Sequence, residues 1–227
     1  AKLTGNAAPH GGGVYVAGGG FALNGGEISG NASSLAGGGV YVSGGGVFTM
    51  SSGEISGNTA TSSYSAAGGG VGVYNGVFTM RGGKISDNRV SASTASTYSP
   101  SGGGGVYIEN GTFTMSGGEI SGNSVSGFFL SPKMPTLPTL PTLPTLPTIP
   151  IMSPTFGGGV WVVSGGTFTK QPGGVIYGSN ASAALKNVAN SGVAVYVGAS
   201  LAGIRNTTAG SGLALDSRVS GAAGGWE

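Results

Sequence analysis

Cysteine is missing from this 227-residue chain, and charged residues make up only 7% of it. Neither a disulfide framework nor thiol chemistry is available, an absence that fits a bacterial secreted protein. One histidine and seven carboxylates leave little for acid–base or metal chemistry. Nine basic side chains give a net charge of only +2 and form no cluster, which argues against a nucleic-acid partner. No run of about eighteen apolar residues occurs, so no helical membrane span is expected. Proline totals 11, and the 50 glycines do not recur every third residue, which excludes collagen. Disorder is excluded in turn, because β-branched and aromatic residues alternate in short runs.

Those runs repeat. Each block holds a glycine triplet, an apolar strand, a Phe-Thr-Met strand and a closing Glu-Ile-Ser-Gly-Asn, with local variants. Copies run from Gly11 to Asn31, Gly37 to Asn58, Gly68 to Asn88, Gly103 to Asn123 and Gly157 to Asn180. Lys2 to Asn6 reads as the tail of a preceding copy, and Val195-Tyr196-Val197 as the head of a following one. Short strands between glycine turns, with no helical period, predict an all-β fold: a right-handed parallel β-helix of about six three-strand coils. The chain then divides into coils over 1–123, an insertion arm over 124–156, a coil over 157–180 and a divergent coil or cap over 181–227.

Stacking the copies puts like residues in columns. Val14, Val40, Val71, Val106, Val160 and Val195 form one, and Phe21, Phe48, Phe78, Phe113 and Phe168 another. Leu3, Ile28, Ile55, Ile85, Ile120 and Ile176 supply a third side. Leu23, Met50, Met80 and Met115 form a further column that Lys170 ends. Strand alternation turns these inward. Tyr15, Tyr41, Tyr107, Trp161 and Tyr196 then form an outward aromatic column, interrupted by Gly72. Thr49, Thr79, Thr114 and Thr169 also point outward, but Ala22 breaks the regular array that an ice-binding face would need.

Asn6, Asn31, Asn58, Asn88, Asn123 and Asn180 close the blocks at one corner. Two structural readings stand open: turn residues in left-handed backbone, or an internal ladder of amides bonding from coil to coil. From each asparagine to the next glycine triplet the segments measure 4, 5, 9, 14 and 33 residues, and are expected to form a growing ridge. The longest carries a proline at every third position from Pro132 through Pro135 to Pro150. That spacing matches polyproline II. It sets Leu137, Leu140, Leu143, Leu146 and Ile149 along one edge, and Thr136, Thr139, Thr142, Thr145 and Thr148 along another. At ~3.1 Å per residue the arm is roughly 60 Å long, against a body of about 29 Å at ~4.8 Å per coil. The apolar edge calls for a cover such as a neighbouring subunit, and the threonines are candidate glycosylation sites.

The block Gly-Gly-Gly-Val-Tyr-Val, Gly-Thr-Phe-Thr-Met, Gly-Gly-Glu-Ile-Ser-Gly-Asn resembles the right-handed β-helix repeats of bacterial surface and secreted proteins, notably of spirochaetes. The tail is similar to the closing segment of such proteins, through Ala194-Val195-Tyr196-Val197, Arg205-Asn206-Thr207-Thr208-Ala209-Gly210, Leu215-Asp216-Ser217 and Gly225-Trp226-Glu227. The resemblance covers nearly the whole chain except the Pro-Thr-Leu insertion. It implies secretion, an extracellular or cell-surface location, a structural role and no catalytic residues. Ala1 would then follow a removed signal peptide or a proteolytic cut.

Nothing in the residues points to catalysis, a cofactor or a metal. Glu27, Glu54 and Glu119 fall one per coil with Lys84 among them, instead of facing each other across a cleft. The glycine triplets lack the following Gly-Lys-Ser/Thr of a phosphate loop. The expected function is a non-catalytic structural protein that polymerises head to tail through open coil edges, the arm contacting neighbouring subunits. The alternative is a monomeric cell-surface adhesin whose insertion ridge and aromatic column contact glycans or host or community surfaces.

Overall fold

Alternation of valine with larger residues sends every second side chain of a short strand to the same side, and the strands then stack valine on valine. In the computed structural model Val14–Ala17, Val40–Ser43, Val71–Tyr74, Val106–Glu109, Val160–Val162 and Val195–Val197 pair in parallel, copy on copy, into a valine wall. The structure describes residues 1–62, 67–92, 101–127, 155–163, 165–171, 173–177, 182, 187, 195–197, 219–220 and 225–226. Phe- and Ile-bearing strands build a second wall in register Phe21, Phe48, Phe78, Phe113, Phe168 and Leu3, Ile28, Ile55, Ile85, Ile120, Ile176. In two copies these are continuous strands, Gly20–Ser29 and Val47–Ser56. Later copies divide them, as in Val77–Met80 and Lys84–Ser86.

A third parallel sheet arises where sequence reading placed only connecting segments. Ala7–His10, Ala32–Ala36, Thr59–Ser62, Arg89–Ala92 and Ser124–Gly127 follow the asparagines and pair in parallel. The far ends of the same segments return to pair as well, through Ala36, Ala67 and Gly102, and then Ser101–Gly102 with Thr155–Phe156. The ridge expected at this corner is thus a wall at both of its roots. Its additional length falls largely at 63–66, 93–100 and 128–154, outside the described residues.

The fold is all-β with parallel sheets and no helix among the described residues, consistent with a β-helix or solenoid. Among the described residues no helix is long and apolar enough to cross a membrane. Among the described residues parallel order gives way at one place, where Gly225–Trp226 pairs antiparallel with both Val195–Val197 and Val219–Ser220.

Side chains from the valine and Phe–Ile walls meet in one core. Val40, Val71, Val106, Val160, Ile55, Ile85, Ile120, Met50, Met80 and Met115 are fully buried. The phenyl rings of Phe48, Phe78 and Phe113 stack with centroids 4.8 and 4.6 Å apart, nearly parallel at 9° and 4°. Ring spacing follows directly from strand spacing. Lys170 ends the methionine column as the sequence suggested: it aligns with Met115, and burial holds its ammonium below the ordinary lysine value.

At the asparagine corner the amide ladder forms. The backbone N–H and Nδ2 of each asparagine donate to Oδ1 of the next, at 2.9–3.0 Å, from Asn6 through Asn31, Asn58, Asn88 and Asn123. Nδ2 also donates to the carbonyl of Leu3, Ile28, Ile55 or Ile85 in the preceding copy, at 2.8–3.0 Å. These bonds satisfy corner groups that would otherwise be buried without partners. Two expectations are corrected. Asn187 takes the last rung, accepting from Asn123 and donating to the Ile120 carbonyl at 3.1 Å, whereas Asn180 lies outside the described residues. The left-handed backbone belongs to the residue before each asparagine: Gly5, Gly30, Gly57, Asp87 and Gly122 have φ of 69, 60, 61, 56 and 64°.

Candidate functional site

Inward positions are consumed by packing, so chemistry has to come from outward side chains. On the Phe–Ile wall Lys2, Glu27, Glu54, Lys84 and Glu119 stand in one row. Beside them Gly26, Gly53 and Gly83 floor an open groove of about 460 Å³. A Cβ on Gly53 would stand 2.7 Å from the Gly26 carbonyl oxygen, so close coil approach demands glycine there. Four of its five charges pair off. Lys2 Nζ lies 2.8 Å from Glu27 and Lys84 Nζ 3.3 Å from Glu119. Hydrogen bonding to Lys2 holds the Glu27 carboxyl below its usual range and raises Lys2 in return. The Ser86 and Ser121 hydroxyls donate to Glu54 and Glu119 at 3.2 and 2.6 Å. No group of three or more His, Asp or Glu among the described residues has a geometry that would hold a metal ion.

The valine wall presents something different. Tyr15, Tyr41, Gly72, Tyr107, Trp161 and Tyr196 are in register along it, as the sequence suggests. Tyr15 is 55% exposed and its ring lies 5.5 Å from Tyr41. Trp161 departs from an open column, being only 5% exposed, with the Tyr107 ring across it at 5.1 Å. The side chain of Tyr196 is outside the described set.

Three further residues join the row. Tyr74, 38% exposed, points outward two positions beyond Gly72, in register with Ser43 and Glu109. Strict alternation from Val71 and Val73 would have found it. Glu109 accepts a hydrogen bond from the Tyr107 hydroxyl. His10 comes from the third sheet and stacks on Tyr41 at 4.5 Å, a neighbour that sequence order does not reveal. The Gly72 gap is narrower than it reads, since the Tyr41 ring stands 3.2 Å from where a Cβ would be. Burial raises the Tyr41 and Tyr107 phenols above the ordinary value, with Glu109 adding to the effect at both.

The arm residues Pro132, Pro135, Leu137, Leu140, Leu143, Leu146 and Ile149, and the threonines Thr136, Thr139, Thr142, Thr145 and Thr148, lie outside the described residues. No protein-family model, no curated protein and no solved structure matches the chain.

Proposed function

We propose that the chain is a non-catalytic, extracellular right-handed parallel β-helix of about six coils, of the bacterial surface type, whose valine wall contacts glycans. Its polyproline-like arm belongs to the same reading. The observation that carries it is the aromatic row: Tyr15 and Tyr74 remain 55% and 38% exposed on a face the core does not need. Rings with a polar tip are the usual stacking platforms for sugars, which offer apolar faces edged with hydroxyls. The test is a glycan array probed with the purified protein, followed by Tyr15→Ala and Tyr74→Ala. Wild-type binding that both variants weaken, at unchanged melting temperature, supports the reading. A wild-type protein that binds no glycan overturns it.

Head-to-tail assembly through matching coil edges, with the arm contacting neighbouring subunits, is the second reading. Against it, a half-buried lysine, Lys170, takes the methionine position at the far side of the stack, its ammonium donating to the Gly173 carbonyl at 3.1 Å, and the antiparallel pair interrupts parallel order. Inward charges are a known way of discouraging edge association. Negative-stain microscopy decides: uniform filaments support assembly, and discrete short rods sink it. If the arm lashes subunits together, Leu140→Asp abolishes filaments while leaving the fold intact.

A further inference from the structure

Charge narrows the class of glycan. Among the described residues every lysine and arginine belongs to the other two walls or their turns: Lys2, Arg81, Lys84 and Lys170 with the Phe–Ile wall, Arg89 with the third sheet. Among the described residues the outward face of the valine wall carries a single carboxylate, Glu109, and no lysine or arginine, with the His10 ring at its margin. Tyr74 stands in register beside Glu109, and Tyr107 hydrogen-bonds to it. The phenols of Tyr41 and Tyr107 stay neutral, being shifted upward. Ring faces are electronegative and attract cations, most strongly where a carboxylate shares the site. An anionic chain would bring like charge against Glu109 with no basic residue among the described ones to receive it.

Resting on the glycan reading above, we infer that this face binds a polymer bearing ammonium groups, of the amino-sugar class. Glu109 is the counter-ion, and Tyr74 and Tyr41 are the ring walls against which the ammonium packs. Ions at such a half-open site are partly screened, so binding weakens with salt. Polyuronates and sulfated glycans are rejected.

The test compares β-linked glucosamine oligomers with the same oligomers fully N-acetylated, and with a polyuronate of equal length. Each is titrated onto the purified full chain at low and at physiological salt. The free-amine oligomers are expected to bind about tenfold more tightly than the acetylated ones. Glu109→Gln should remove most of that preference, weakening the free-amine oligomers far more than the acetylated ones. Tyr74→Ala should weaken both oligomers, and serves as the second variant if Glu109→Gln disturbs the Tyr107 ring. Equal affinity for the two oligomers, or a preference that Glu109→Gln leaves intact, overturns the charge assignment while the glycan face stands. Binding to the polyuronate alone overturns it too. If no sugar binds at all, the glycan reading falls together with its refinement.

Discussion

The two faces of the valine wall come from the same strands and obey opposite rules. Inward, Val14, Val40, Val71, Val106 and Val160 repeat without change; outward, the matching positions read Tyr15, Tyr41, Gly72, Tyr107 and Trp161. In a parallel stack each inward side chain has its own counterpart above and below. A phenyl, an amide or a valine therefore fits best against a copy of itself. Outward residues answer to solvent and ligand, so their differences are free to carry function. The internal repeat marks the scaffold, and on the proposed reading the departures from it on the outer face mark where the glycan is met.

That contrast breaks most severely at the amide corner. Asn88 is fully buried; its side chain donates to Asn123 and the Ile55 carbonyl and accepts from the N–H and Nδ2 of Asn58. Asn88→Ala strands several buried polar groups and is expected to cost about 3–5 kcal/mol in thermal or urea unfolding. Asn6→Ala, at the exposed end of the ladder, should cost less than about 1 kcal/mol. Tyr15→Ala on the outer face should cost under about 0.5 kcal/mol. Equal losses for Asn88→Ala and Tyr15→Ala would show that inside and outside do not differ as described.

The columns were legible in the sequence because their spacing is carried by bulky side chains that recur. The third sheet was not, since its strands hold mostly small or polar residues such as Ala7, Ala32, Ser33 and Thr59. Apart from the buried cluster of Ala60, Val90 and Val125, backbone pairing makes this wall with little help from an apolar pattern. Asn187 was missed for a related reason. Ladder steps span 25, 27, 30 and 35 residues before the last spans 64. The rung is taken by whichever amide reaches the corner, not by the one that keeps count. On the outer face, alternation points to Tyr74 and Glu109, whereas His10 arrives from a different sheet and leaves no periodic trace.

A smaller effect sharpens the contrast from within the core. Lys170 occupies an inward position that methionine fills in earlier copies, in register with Met115. Burial depresses its pKa, so in the window below its ordinary value of 10.5 the folded chain has already released a proton that the unfolded chain still holds. Stability therefore rises with pH across that window and is lost again as pH falls through the folded value. Lys170→Met should raise stability at neutral pH by about 1 kcal/mol and abolish the alkaline rise. Denaturant melts at pH 7 and pH 10 measure both. If Lys170→Met instead promotes assembly, the lysine serves chiefly to keep this edge unpaired.

The mildest test concerns the turn that precedes each amide. Glycine takes the left-handed position before Asn6, Asn31, Asn58 and Asn123, but Asp87 takes it before Asn88, at φ 56°. Aspartate is among the few side chains that tolerate this region, at a cost that glycine does not share. Asp87→Gly relieves that cost but restores glycine's larger entropy in the unfolded chain. Where φ is positive, relief of strain outweighs that entropy, so a gain of up to about 1 kcal/mol is expected. Asp87→Ala at the same position should lose stability, since it keeps the Cβ and gives up the polar side chain that makes left-handed backbone tolerable. Should Asp87→Gly lose stability as well, the carboxylate must be holding the corner in its own right. The repeat at that coil would then differ from its neighbours by function and not by tolerated drift.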